Sequence, residues 1–161
     1  MKPQAICAIA TPPGSSALGI IRISGNNLKK LTKQIFSKDL ENRKATLLSV
    51  SDHKDLLDNC VVIFYESPKS YTGEDMIEII CHGNQVIMNS ILSLLNKTGI
   101  RIAAPGEFTE RSFFNDKVDL IQAEAISDLI SASDSLAVKA AHNSLSGKFA
   151  DEIKIICEKI L

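Results

Sequence analysis

Residues Ala104–Ala125 read APGEFTERSFFNDKVDLIQAEA, and the fold turns on how this stretch is divided. Pro105 suits a first helical position, because its fixed φ is helical and its missing donor costs nothing there. Glu107 and Glu110 then bring negative charge to the positive end of a helix dipole. Phe108 and Phe113, with Arg111 between them, give that short helix one apolar and one polar side. Asn115-Asp116-Lys117 breaks the pattern with turn formers. Asp119 starts a new helix, with Gln122 at the spacing of a capping box. Upstream of this stretch the chain reads as mixed strands and helices; downstream it reads as helix throughout. The expected class is therefore α+β: a mixed β-sheet with flanking helices over about 1–118, then a long helical segment over 119–161.

Working back toward the N-terminus, Ala5–Ala10 is a short apolar run stopped by Thr11-Pro12-Pro13-Gly14, which reads as a strand and turn. Gly19–Ser24 (GIIRIS) is a second strand. Leu28, Leu31, Ile35 and Phe36 recur at helical spacing with lysines between them. Thr46–Val50 and Cys60–Tyr65 form a strand pair joined by the polar connection Ser51–Asn59. Met76–Cys81 is a strand, and His82-Gly83-Asn84 turns the chain into a helix over about Gln85–Lys97. Ile100–Ala103 supplies a last strand. Working forward, Leu120, Ala123, Ile126 and Ile130 form one helical stripe, and Phe149, Ile153, Ile156 and Ile160 another. One unbroken helix over 119–161 would be roughly 65 Å long, so a break is expected at Ser146-Gly147. The stripes find no helical partner elsewhere in the sequence, so a second chain or further helices should cover them. The pattern stops in mid-course at Leu161, as in a piece of a longer protein.

The 161 residues carry 45% hydrophobic side chains, enough for a real core, and a formal net charge of −1. With a sequence pI near 6.3, the chain shows no basic excess of the kind that marks a nucleic-acid binder; a weak or partner-dependent tRNA contact is possible but not evident from charge. No run of 18 apolar residues suggests a membrane span, and Met1-Lys2-Pro3 does not begin a signal peptide. Cys7, Cys60, Cys81 and Cys157 stand singly, which fits buried reduced thiols of a cytoplasmic protein better than a zinc site or disulfides.

Two strands carry a charge in an otherwise apolar run. Alternation puts Arg22 on one strand face with Ile20 and Ser24, and Glu78 on one face with Met76, Ile80 and His82. Either the two line a solvated sheet face or pair with each other, or they belong to a half-buried polar pocket. In such a pocket a carboxylate accepts two ligand donors and a guanidinium holds an anion. Lys117 is a third candidate, against the plainer reading of a surface lysine in a turn. His82, at a strand exit, has no serine or cysteine nucleophile arranged with it. Gly14–Gly19 imitates the glycine spacing of a phosphate loop, but Ile20-Ile21 replace its lysine and hydroxyl and the loop enters a strand. Asn96-Lys97-Thr98-Gly99 likewise lacks the closing aspartate of a guanine-specificity motif.

Together, ATPPG at 10–14, GIIRISG at 19–25, SYTGEDMIEIICHG at 70–83 and APGEFTERSFFNDKVDLIQAEAISDLI at 104–130 resemble, in collinear order, the N-terminal part of the MnmE/TrmE family of tRNA-modification GTPases. The resemblance implies a tetrahydrofolate-binding and dimerisation domain over 1–118, and at 119–161 the first part of a helical domain into which a GTPase domain is inserted. It implies Arg22, Glu78 and Lys117 as contacts of a one-carbon folate, 5-formyl- or 5,10-methylene-tetrahydrofolate, with no catalytic residue assigned. It also implies a cytoplasmic homodimer working with a flavin-dependent MnmG/GidA-type partner on C5 of the tRNA wobble uridine. GTP, potassium and magnesium would belong to the GTPase domain, whose P-loop is absent here, as is the family's C-terminal cysteine motif. Ser15-Ser16-Ala17 is poorer in glycine than the family's early loop, and Asn84 replaces a usual glycine. Two other readings stay open: a stand-alone folate-dependent aminomethyl transferase using Glu78 or His82, and a helical assembly module resting on 119–161 alone.

Overall fold

In the computed structural model, which describes residues 4–146, isoleucine alternation produces the two central strands. β1 is Ile6–Ile9, β2 Ser16–Gly25, α1 Leu28–Phe36, β3 Thr46–Asp52, β4 Asp55–Tyr65, β5 Asp75–Gly83, α2 Gln85–Lys97 and β6 Arg101–Ile102. These form one six-stranded sheet in the order β3-β4-β5-β2-β1-β6, antiparallel except where β1 meets β6. The fold is α+β, with a mixed sheet and flanking helices. Ile21 and Ile23 of β2, Ile77 and Ile79 of β5 and Val62 and Phe64 of β4 are fully buried on one face. They pack with Met88, Ile91 and Leu95 of α2 and Leu28 and Phe36 of α1. Each such side chain contributes roughly 1.5–3 kcal/mol of transfer free energy. The opposite face carries Arg22 and Glu78.

The strands are longer than the sequence pattern indicates. β3 and β4 extend until only His53-Lys54 joins them, so the polar stretch 51–59 is mostly ladder and not loop. Backbone pairing outweighs side-chain polarity at this hairpin end. β5 continues through His82 to Gly83. There a Cβ would lie 2.1 Å from Ser16 Oγ and 2.5 Å from the Ser16 carbonyl, so only glycine fits. Asn84 has an ordinary extended backbone (φ −104°) and caps α2, accepting from the N–H groups of Val86 and Ile87. Cys7, Cys60 and Cys81 are buried free thiols; Cys157 lies outside the described residues.

The chain divides into two compact units at Phe108/Thr109. The division falls within α3 (Glu107–Phe114), and α4 (Leu120–Ser131) and α5 (Ser135–Leu145) follow. Pro105 is not the first residue of α3. It precedes Gly106, whose φ of 76° makes a turn, and the helix begins at Glu107. The Glu107 carboxylate accepts from the Ala104 N–H at 2.9 Å and pairs with the Arg101 guanidinium. The capping box at Asp119 forms as its spacing requires, with Gln122 N–H to Asp119 Oδ1 at 2.8 Å and Asp119 N–H to Gln122 Oε1 at 2.9 Å.

The helical segment does not run unbroken to Ser146. It stops at Ser131, and Asp134 caps α5 by accepting from the N–H groups of Leu136 and Ala137. α4 and α5 therefore form a hairpin. Gln122 Nε2 donates to the Leu145 carbonyl across it, and Ala125 and Ala141 are buried. α4 thus has a helical partner within the chain, met on the side of Gln122 and Ala125, while Leu120 and Ile130 of the stripe remain exposed, as does Leu136. The break expected at Ser146-Gly147 and the stripe Phe149 to Ile160 lie at or beyond the end of the described residues. None of the described helices is long and apolar enough to cross a membrane.

Candidate functional site

Antiparallel pairing of β2 and β5 sets Arg22 directly opposite Glu78, on the sheet face away from the core. Arg22 donates to Glu78 Oε1 twice, from Nε at 3.0 Å and from Nη2 at 2.7 Å. The hydroxyl of Tyr65, from β4, donates to Glu78 Oε2 at 3.0 Å. Both charged side chains are half-buried, 29% exposed for Arg22 and 16% for Glu78. Burial, followed by the hydrogen bond to Glu78 and that carboxylate's charge, pushes the Tyr65 phenol above its usual range. It therefore stays a donor at neutral pH. Two aromatic rings flank the guanidinium: Tyr71 at 5.3 Å and Phe108 at 6.0 Å from ring centroid to Cζ.

The loop carrying Tyr71 is fixed from below. Ser24, next but one to Arg22 on β2, donates to Glu74 Oε2 at 2.8 Å and shares a 2.6 Å hydrogen bond with Thr72, all three buried. Tyr71 is thus held beside Arg22 by a polar anchor under its own loop. A carboxylate offers about four lone-pair directions, and three protein donors already address Glu78. A ligand bringing paired N–H donors would use what remains on Oε2 or exchange with Arg22. The arrangement is a half-buried ion pair with a phenol on its carboxylate and two aromatic rings beside its guanidinium.

The structure brings Arg22 and Glu78 together. Lys117 belongs to the second unit, in the turn after α3, where Asp116 has φ 54° and the Lys117 N–H donates to the Ser112 carbonyl at 2.9 Å. It lines an open pocket of about 410 Å³ with Phe113, Phe114 and Asp119. Tyr65 and Tyr71 escape a reading by residue type. A tyrosine ending a strand and one in a loop are unremarkable until strand register places them beside Glu78 and Arg22.

His82 is held by Asp58, a buried carboxylate on β4. Asp58 Oδ1 lies 2.7 Å from His82 Nδ1, and Oδ2 accepts the His82 N–H at 2.8 Å. Burial works to raise the Asp58 carboxyl, but the N–H groups of His82 and Asn59 and the His82 ring outweigh it, and the group titrates below its usual range. The His82 side chain is 67% exposed. The pair fastens the end of β5 to β4. Burial pushes the neighbouring Cys60 thiol up to about 12, so it is unreactive. No group of three or more metal-ligating side chains occurs among the described residues.

An antiparallel-rich sheet bearing an arginine–carboxylate–tyrosine cluster on the face away from its core, followed by a helical hairpin, defines an α+β domain with helices after it. Residues 5–117 match the family model described as GTP-binding protein TrmE N-terminus, and the chain belongs to that family. It is 47% identical over 156 residues to the tRNA modification GTPase MnmE of Francisella tularensis subsp. holarctica (strain OSU18), covering 97% of this chain and 35% of that protein. The protein of the same description from Francisella philomiragia subsp. philomiragia is 45% identical over the same length. The chain thus spans about a third, 35%, of the length of these relatives.

Proposed function

We propose that this chain is the one-carbon-tetrahydrofolate-binding and dimerising part of a tRNA-modification GTPase. The observation that carries the reading is the half-buried Arg22–Glu78 pair with Tyr65 behind it and the rings of Tyr71 and Phe108 beside it. This donor set fits a pterin. The ring's adjacent N–H donors match a carboxylate acceptor, its flat faces match the aromatic walls, and the acidic folate tail calls for cations such as Arg22 and Lys117. In this reading residues 1–118 are the folate domain and 119–161 open the helical domain. The protein is a cytoplasmic homodimer, and with a flavin-dependent MnmG/GidA-type partner it modifies C5 of the tRNA wobble uridine. GTP, potassium and magnesium are handled by the part of the protein outside this chain.

Isothermal titration with 5-formyltetrahydrofolate tests the reading. Binding by the wild-type chain is expected, weakened at least tenfold in Glu78→Gln and in Lys117→Ala, with unchanged far-UV circular dichroism. Absence of binding by the folded wild type, or equal affinity in Glu78→Gln, overturns it. Analytical ultracentrifugation of the same samples reads the dimer.

A further inference from the structure

Charge is unevenly spread along the chain. Residues 29–44 hold six cations, Lys29, Lys30, Lys33, Lys38, Arg43 and Lys44, against the two carboxylates Asp39 and Glu41, in a chain of net charge −1. Helix geometry puts Lys29, Lys30 and Lys33 on the solvent side of α1, opposite Leu28, Thr32 and Phe36, which are buried. The segment after α1 is brought back to the same region. The Arg43 N–H donates to the Phe64 carbonyl at 2.7 Å and its Nη2 to the Lys69 carbonyl at 2.9 Å. Asn42 Oδ1 accepts from the Glu66 N–H at 3.0 Å, and Glu66 pairs with Lys29. The β4–β5 loop therefore ties α1 and the 42–44 segment into one surface.

Lys29, Lys33 and Lys44 make ion pairs that are exposed on both sides, whereas Lys30 and Lys38 make none among the described residues. Exposed pairs of this kind are weak and readily exchange a carboxylate for a phosphate. No large apolar side chain of residues 28–45 is exposed, so the face lacks the apolar centre that a protein partner would bury. At physiological salt, screening over about 8 Å isolates this surface from the acidic remainder of the chain.

We propose that α1 and the 38–44 segment form a binding surface for the phosphate backbone of RNA, contacting it without reading bases. The choice of RNA rests on the reading of the chain as part of a tRNA-modifying protein; the surface itself is independent of the folate centre.

The test is fluorescence anisotropy of labelled unfractionated tRNA with this chain between 50 and 200 mM KCl, conditions in which phosphate contacts show a strong salt dependence. The double variant Lys30→Glu/Lys38→Glu is expected to bind at least tenfold more weakly at the lowest salt. Its log–log salt slope should be shallower by about two, one for each lysine that no longer meets a phosphate. Lys54→Glu, an exposed lysine in the β3–β4 turn, should leave affinity within twofold. No tRNA binding by the wild type overturns the proposal. Unchanged affinity in the double variant does so as well. Titration of the double variant with 5-formyltetrahydrofolate should match the wild type, so failure of the RNA surface and failure of the folate reading are separately visible.

Discussion

Replacing Glu78 by glutamine keeps the size of the side chain and removes its charge, which isolates the electrostatic part of the centre on the open sheet face. Three hydrogen bonds converge on this carboxylate, two from Arg22 and one from Tyr65. Opening a fully buried ion pair costs about 3–5 kcal/mol, whereas exposed pairs contribute about 0–1 kcal/mol. With side-chain exposures of 29% and 16%, the Arg22–Glu78 pair stands between these limits. The amide oxygen can still accept from Tyr65 or Arg22, so part of the bonding survives. The expected loss for Glu78→Gln is about 1.5–2.5 kcal/mol, which at an m-value of about 2 kcal/mol/M moves the urea midpoint down by about 1 M.

A double-mutant cycle with Arg22→Met separates the pair from the surrounding packing. Arg22→Met also gives up the cation–π interactions with Tyr71 and Phe108, each at the exposed end of the range, about 0.5–1 kcal/mol. That loss is common to Arg22→Met and the double variant and cancels in the cycle, so the single variants should sum to more than the double variant by the pair's own coupling of about 1–2 kcal/mol. The chain supplies its own probe. It has no tryptophan and two tyrosines, Tyr65 and Tyr71, and both flank the pair, so near-ultraviolet circular dichroism during urea unfolding reports from the site itself. A coupling below about 0.3 kcal/mol would mean that solvent already screens the pair, and the description of a half-buried ion pair would fail.

Two further outcomes follow from the same sheet. The Asp58 carboxyl titrates below its unfolded value of about 3.9, so its contribution is present above that pH and is lost as pH falls through the lower folded value. Urea midpoints taken from pH 7 to pH 2 should fall more steeply for the wild type than for Asp58→Asn in the acid range; parallel curves would sink the assignment. Gly83→Ala should destabilise by about 2–3 kcal/mol, because the new methyl meets the backbone oxygens of Ser16 and Leu18 at 2.5 and 2.9 Å. Gly19→Ala meets chiefly the Met88 thioether, at 2.4 Å, which can swing aside, so thermal melts should show it less damaging. The reverse order would show that the sheet can open at Ser16–Gly83 more easily than Met88 can move.

What can be read from the sequence, and what cannot, divides along one line. The capping box at Asp119 and Gln122 is a local device, complete within four residues, and it forms as its spacing requires. The helix break after Ser131 is also local, since Asp134 caps α5. It is hard to see in the sequence because alanine and serine interrupt an apolar stripe without the force of glycine or proline. Pro105 is legible as a helix start only if Gly106 continues the helix, and the positive φ of that glycine moves the start to Glu107. Arg22 and Glu78 stand out because each violates the alternation of an apolar strand, and a violated pattern points at itself. That they face each other is decided by the β2–β5 register, a pairing across 56 residues that no short window contains. Tyr65 shows the limit most sharply. It satisfies every local rule for a residue ending a strand, so nothing in the sequence marks it, and only the alignment of β4 on β5 carries its hydroxyl to Glu78. A residue that breaks a rule can be found alone; one that obeys every rule joins the cluster only through its neighbours, and those neighbours are a property of the fold.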